Sequence, residues 1–460
     1  MAPATALRRV LAALLAAALG GVHPGAVCAV PPAAVIAGRA VSAAPIGPAE
    51  PTEVATRCAR SAGPPADPGA LPAGHLLLEI SRAWQFSRGA GVTVAVIDTG
   101  VQPNSRLPRL IPGGDYVSAG DGRTDCDLHG TLVAGIVAAR PSGSDGFAGV
   151  APEAAVLTIR QSSGAYRVKD ARSGDREAPV VGAGYGPLPT LAKAIVRALD
   201  LGASVITVAE TACAPAGSAI DDAAVSSALA DARRRDAVVV AAAGNLSDAS
   251  GCREQNPAAA SSPEQEWEQV ATVATPARFG RDILTVGAVD ARTGEPAEFS
   301  LRGPWLSVAA PGTEIVSVSR SGLVDALTGD GDGDGQPGRR PLAGTSYAAA
   351  YAAGVAALVR ARFPELSAGE VIERIVRTSR GGPDRDAAVG FGVVDPVAAL
   401  TAVLPPAAGL PDPAAGRSVV APSPPADPPA VAGVLAGVGG ICAALLLAVW
   451  ALTRRRGRAR

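Results

Sequence analysis

The sequence predicts an α/β domain, a doubly wound parallel sheet with helices on both faces. Three observations lead there. Val92-Thr93-Val94-Ala95-Val96-Ile97 is a β-branched run without polar alternation, the pattern of a strand buried on both faces. Comparable runs recur at residues 155–159, 204–208, 238–243 and 283–289. Helical patterns at residues 131–139, 191–201 and 223–235 alternate with them, and strands alternating with helices build a parallel sheet. In such sheets ligands bind beyond the carboxyl ends of the strands.

The elements at the ends of the chain read as targeting segments. Arg8-Arg9, the Ala/Leu-rich run from Val10 to Leu19 and Val27-Cys28-Ala29 form a secretory signal peptide over residues 1–29. Residues 30–82 are an extension rich in Pro and Ala that carries Cys58, and residues 75–84 form a short lead-in helix. The folded domain is expected over residues 83–402. A Pro/Ala stalk follows at 403–429, semi-rigid and extended. Residues 430–452 are uncharged and apolar, long enough for a single-pass membrane helix, which needs roughly 20 residues. Arg454, Arg455, Arg456, Arg458 and Arg460 fill the tail at 453–460, and their charge places it in the cytoplasm, with the domain on the outer side of the cell membrane.

Composition narrows the function. The formal net charge is −1 and charged residues make up 18%, which gives no footprint for nucleic acid. Setting aside Cys28 and Cys442 leaves Cys58, Cys126, Cys213 and Cys252, enough for two disulfides with three possible pairings in an oxidising compartment. No CxxC or HExxH spacing occurs, so no metal and no cofactor is expected. Residues 162–189, 247–280 and 319–341 read as loops. The Gly/Asp repeat at 329–335 looks like the start of a calcium loop, but Pro341 stands where the twelfth-position acid is required, so it reads as a solvated loop.

The chemistry converges on Gly344-Thr345-Ser346-Tyr347-Ala348-Ala349, which opens a helix running to about Phe363. Its residues are small or apolar on every side, so the helix is expected to be buried all round. Ser346 at its mouth is either a simple N-cap or a nucleophile whose oxyanion is held by the helix start. Two other segments favour the nucleophile. Asp98 ends the first buried strand, and His129 begins an apolar helix. Of the three histidines, His23 leaves with the signal and His75 lies in the lead-in, so His129 is the base within the domain. A hydroxyl, an imidazole and a carboxylate make an acyl-transfer site. Val240-Ala241-Ala242-Ala243-Gly244-Asn245 ends a strand with a carboxamide, which makes Asn245 the expected oxyanion donor beside the Ser346 N–H.

The order Asp98, His129, Ser346 resembles the subtilisin-like serine proteases. The match tightens to the mycosins, membrane-anchored subtilases associated with type VII secretion. It rests on Val94-Ala95-Val96-Ile97-Asp98-Thr99-Gly100-Val101, Gly114-Asp115-Tyr116-Val117, Asp125-Cys126-Asp127 before His129, Phe299 to Trp305, Val308-Ala309-Ala310-Pro311-Gly312, the Ser346 motif and Gly392-Val393-Val394-Asp395-Pro396. The resemblance implies a subtilisin-like fold, a protein or peptide substrate and a type VII secretion membrane complex as partner. It also implies disulfides Cys58–Cys126 and Cys213–Cys252, and an extension that wraps the domain. Two departures stand out: Ala350 replaces a family Pro, and the substrate-edge residues Thr207, Val208 and Ala209 carry Thr207 and Ala209 where relatives tend to have Asn and Ser. The aspartic-protease reading of Asp98-Thr99-Gly100 fails because its chemistry needs two such carboxylates. A docking role within a secretion complex, or a general surface protease, are the remaining alternatives.

Overall fold

Buried β-branched runs become the middle of the sheet. The computed structural model describes residues 32–405 except 172–179, 183, 219, 248–250, 259–262, 281, 330–337 and 383. Seven strands form the main sheet: β1 (Thr93–Asp98), β2 (Leu110–Asp115), β3 (Ala155–Arg160), β4 (Val205–Val208), β5 (Val238–Ala242), β6 (Leu284–Val289) and β7 (Val308–Pro311). Their order is β7-β6-β5-β4-β1-β3-β2, and every pairing is parallel. After β1 the chain runs to the edge strand β2 and back to β3 on one side of β1, then crosses to β4 on the other. The carboxyl end of β1, where Asp98 lies, is therefore the topological switch point.

The two strands that the sequence pattern does not announce, β2 and β7, are the two ends of the sheet. Pro112 interrupts β2, and Pro311 closes β7. Proline cannot donate to a ladder, and an edge is where that loss is tolerated. The β2 register shifts between Pro112 and Gly114.

Five longer helices clothe the sheet: α1 (His129–Ala138), α2 (Leu188–Asp200), α3 (Ala223–Arg234), α4 (Thr345–Arg362) and α5 (Ala368–Arg377). On one face, Leu191, Ile195, Leu199, Val225 and Leu229 of α2 and α3 pack on Ala95, Ile97, Ile206, Val208 and Val239. Alternation along each strand sends Val94, Val96 and Asp98 to the other face, where α1 and α4 pack. Helix α4 is buried from Thr345 to Arg360, and its small side chains let it lie close to its surroundings. Gly354 shows how close: a Cβ there would sit 2.5 Å from Val150 Cβ. Each of Val355, Leu358 and Val359 contributes about 1.5–3 kcal/mol by leaving water.

Helix α5 was not among the expected elements. It carries a complete capping box, Ser367 with Glu370. The expected lead-in helix is two short ones, Ala73–Leu77 and Ile80–Ala83, because Glu79 between them adopts a left-handed φ of 50°. The three stretches expected as loops also hold short elements. Tyr166–Val168 pairs with Thr52–Val54 of the extension, Thr272–Thr275 pairs with Ala212–Pro215, and Ala326–Thr328 pairs with Arg339–Pro341.

The extension is tied to the domain along its length. Cys58 is bonded to Cys126, with Cα atoms 4.5 Å apart. Ala59 N–H donates to the Cys126 carbonyl, and Ala62 N–H to that of Ala326. Further upstream, Ser226 Oγ accepts from Ile36 N–H and the Asp282 carboxylate from Val35 N–H. No helix among the described residues is long and apolar enough to cross a membrane. The expected signal peptide, membrane span and basic tail, and all but the first residues of the stalk, lie outside the described residues, as does most of the 329–335 repeat.

Candidate active site

Three chain segments deliver one side chain each to the carboxyl end of β1. Asp98 is the last residue of β1, His129 the first of α1, and Ser346 lies in the first turn of α4. His129 Nδ1–H donates to Asp98 Oδ1 at 2.7 Å, and Ser346 Oγ–H donates to His129 Nε2 at 2.8 Å. The carboxylate fixes the tautomer that leaves Nε2 free to accept the hydroxyl proton. Asp98 is shielded from solvent, while the His129 side chain keeps 23% of its exposure, so the ring faces the outside. Tyr347 packs against that ring with centroids 5.5 Å apart.

A hydrogen-bonded clamp holds this alignment. Thr99 N–H donates to Asp98 Oδ1 at 2.7 Å. Thr99 Oγ1 donates to Asp125 Oδ1 at 2.9 Å and accepts from Gly130 N–H at 2.9 Å. Asp125 Oδ2 accepts from both Thr131 N–H and Thr131 Oγ1, at 2.9 and 2.6 Å. The turn after β1 and the start of α1 are thereby locked together beside the disulfide at Cys126. Glycine is required at the crossing: a Cβ on Gly130 would lie 2.2 Å from the Gly100 carbonyl oxygen. Thr99 and Asp125 stand inside sequence motifs, but the clamp between them arises only in the fold.

Electrostatics follow from burial and proximity. Burial pulls the His129 pKa down, but the charge of Asp98 and its hydrogen bond outweigh that, and the net shift is upward. Asp125 is pushed up to about 7 by burial, against the pull of its Thr131 hydrogen bonds. Of the charges that act on the His129 ring, that of Asp98 is the largest.

Asn245 lies just past β5. Its Oδ1 accepts from Thr345 N–H at 2.9 Å and from Thr345 Oγ1 at 3.1 Å. Those bonds orient the amide. A Cβ built on Gly344 would be 3.0 Å from Ser346 Oγ and 3.4 Å from Asn245 Nδ2, so both groups flank one small space. Cys213 and Cys252 are bonded, with Cα atoms 5.1 Å apart. Their sulfurs lie 3.2–3.4 Å from where a Gly244 Cβ would be, next to Asn245.

Thr207 and Val208 belong to β4, inside the sheet between β1 and β5, and Ala209 follows. All three are buried, so a peptide would meet the backbone here rather than these side chains.

Comparisons with known proteins identify the family. A model of the subtilase family matches residues 89–392. Mycosin-4 of Mycobacterium tuberculosis is 44% identical over 395 residues, covering 83% of this chain and 81% of that protein. Mycosin-3 of the same organism is 44% identical over 392 residues, covering 83% and 82%. The solved structure of the MycP3 protease from the type VII (ESX-3) secretion system is similar with a TM-score of 0.73 and 43% identity, over 81% of this chain and 100% of that one. A chain of the periplasmic assembly from the ESX-5 inner membrane complex gives a TM-score of 0.72 and 41% identity, over 85% and 100%. With the Asp98, His129 and Ser346 segments all inside the matched span, the chain belongs to the subtilase family of serine proteases and, within it, to the mycosins.

Proposed function

We propose that the protein is a membrane-anchored, extracytoplasmic serine endopeptidase that works with a type VII secretion complex. The observation that carries the enzymatic part is the continuous hydrogen-bonded chain from Asp98 through His129 to Ser346. His129 takes the Ser346 proton as Oγ attacks the scissile carbonyl, and Asp98 stabilises the imidazolium that forms. The tetrahedral oxyanion is held by Asn245 Nδ2 and the backbone N–H of Ser346 in the first helical turn, where N–H groups have no intrahelical acceptor. His129 then gives its proton to the leaving amine. Water, deprotonated in turn by His129, hydrolyses the acyl-enzyme and regenerates Ser346.

Asn245→Ala is expected to lower kcat by about 100- to 1,000-fold with little change in KM, since its donor acts on charge that exists only in the transition state. Thr345 N–H also loses its acceptor, so a stability loss of about 1 kcal/mol should accompany it in thermal unfolding. An unchanged kcat would remove Asn245 from the oxyanion site.

The secretion part rests on the relatives, which include a chain of the ESX-5 inner membrane complex, and on the sequence of the signal, stalk and span. The place of those relatives within a membrane complex also favours a second role as a docking component. Secretion in a Ser346→Ala strain, compared with a full deletion, separates the two. Equal loss in both assigns the role to proteolysis, loss in the deletion alone assigns it to docking, and normal secretion in both contradicts a secretion role.

A further inference from the structure

From Val205 to Ala214 one residue is not buried, and it is an acid. Glu210 stands two residues past the carboxyl end of β4, with Ala209 and Thr211 buried on either side. Ser162 Oγ–H donates to Glu210 Oε2. The other oxygen lies against Gly182, where a Cβ would come within 2.5 Å of Oε1. Val208 pairs with Ile97 in the sheet, so Glu210 follows at the same end of the strands as Asp98, and its carboxyl acts electrostatically on His129.

Its charge surroundings are unbalanced. Burial pushes the Glu210 carboxyl up to about 8, Asp98 adds to the rise, Asp127 adds less, and His129 opposes it. Of the two acids that act on it, Asp127 feels the cation of Arg160, while Asp98 is paired with His129. No lysine or arginine among the described residues pairs with Glu210. Holding a carboxyl between other carboxylates without a cation is costly, and such groups are kept where a ligand brings the missing charge.

We propose that Glu210 is a specificity-determining residue that receives a lysine or arginine side chain of the bound peptide. This rests on the endopeptidase reading above. Glu210 is half-buried, the one side chain from Val205 to Ala214 that keeps part of its surface open, and it follows β4 at the end of the strands where β1 delivers Asp98. The carboxyl in its neutral form keeps its hydrogen bond to Ser162. A peptide cation draws off the proton to solvent and leaves an ion pair.

The test uses the full chain and a set of neutral peptides carrying one Lys or one Ala at each of the positions flanking the scissile bond. The readout is the Lys/Ala ratio of kcat/KM within each enzyme, which cancels any general effect on rate. At one position or more the wild-type ratio is expected to exceed about tenfold, falling to near unity in Glu210→Gln and below unity in Glu210→Lys. A wild-type ratio near unity at every position, or one that survives Glu210→Gln, overturns the assignment. If the variants do not fold, the wild type alone decides. Its ratio should rise with pH between about 6 and about 9 as Glu210 ionises, because the effects of His129, Asp98 and Asp127 on the reaction are common to both peptides; a flat ratio overturns the assignment. Cleavage of the Ala peptides with a flat ratio defeats the Glu210 role alone, whereas failure to cleave any peptide defeats the endopeptidase reading itself.

Discussion

Ser346→Ala is expected to reduce peptide hydrolysis by about a million-fold while leaving the fold in place. The loss is large because the triad acts as a unit: without Oγ the proton chain from His129 to Asp98 has nothing to activate. What remains is binding and oxyanion stabilisation, still faster than uncatalysed hydrolysis. Stability should hardly change. Ser346 is buried in the first turn of α4, and alanine has the higher helix propensity there. The Thr345 N–H bond to Asn245 that anchors the helix start is not touched. The melting temperature, measured beside the rate, should move by no more than a few degrees. Retained hydrolysis would mean another nucleophile.

Asp98→Asn is expected to cost about 10,000-fold in kcat at neutral pH. The asparagine amide can donate to His129 Nδ1 and so favour the tautomer whose Nε2 carries the proton and cannot accept from Ser346. The charge is lost as well. The wild-type ring has a pKa raised above 6.5, chiefly by Asp98 acting against burial. The wild-type kcat/KM should therefore rise with pH, about tenfold per unit, on an acid limb displaced above that of a free imidazole. In Asp98→Asn the ring is more easily deprotonated, so the limb should move to lower pH. A limb that stays in place would show that Asp98 does not set the charge of His129.

The middle of the fold was legible because strands covered on both faces have little choice of residue. Val94, Val96 and Ile97, or Val238 to Val240, cannot be polar when helices lie on either side. The sheet edges were not legible for the converse reason: Pro112 and Pro311 look like strand breakers until their position at the edge makes them harmless. Helix α5 was marked by Ser367 and Glu370, a capping signal the periodicity reading passed over. The split of the lead-in helix at Glu79 has no comparable signal, since glutamate rarely adopts a left-handed φ.

The site divides in the same way. Asp98, His129, Ser346 and Asn245 stood out because each ends or begins an element in an order that one chemistry requires. The clamp through Thr99, Asp125 and Thr131 was invisible because its hydrogen bonds exist only once β1 and α1 meet. Glu210 was hidden differently. An acid at a strand end normally reads as a solvated residue, and only the packing of Ser162 and Gly182 against it, with no lysine or arginine among the described residues to pair with it, sets Glu210 apart.

A fluorophosphonate followed by peptide mass mapping tests the central claim most directly, because it reacts with a serine only where an imidazole activates it. The account predicts one adduct on the wild-type chain, on the peptide holding Ser346, and none on that peptide after Asp98→Asn at the same exposure. An adduct on a different serine, or no adduct on folded wild-type protein, would contradict it.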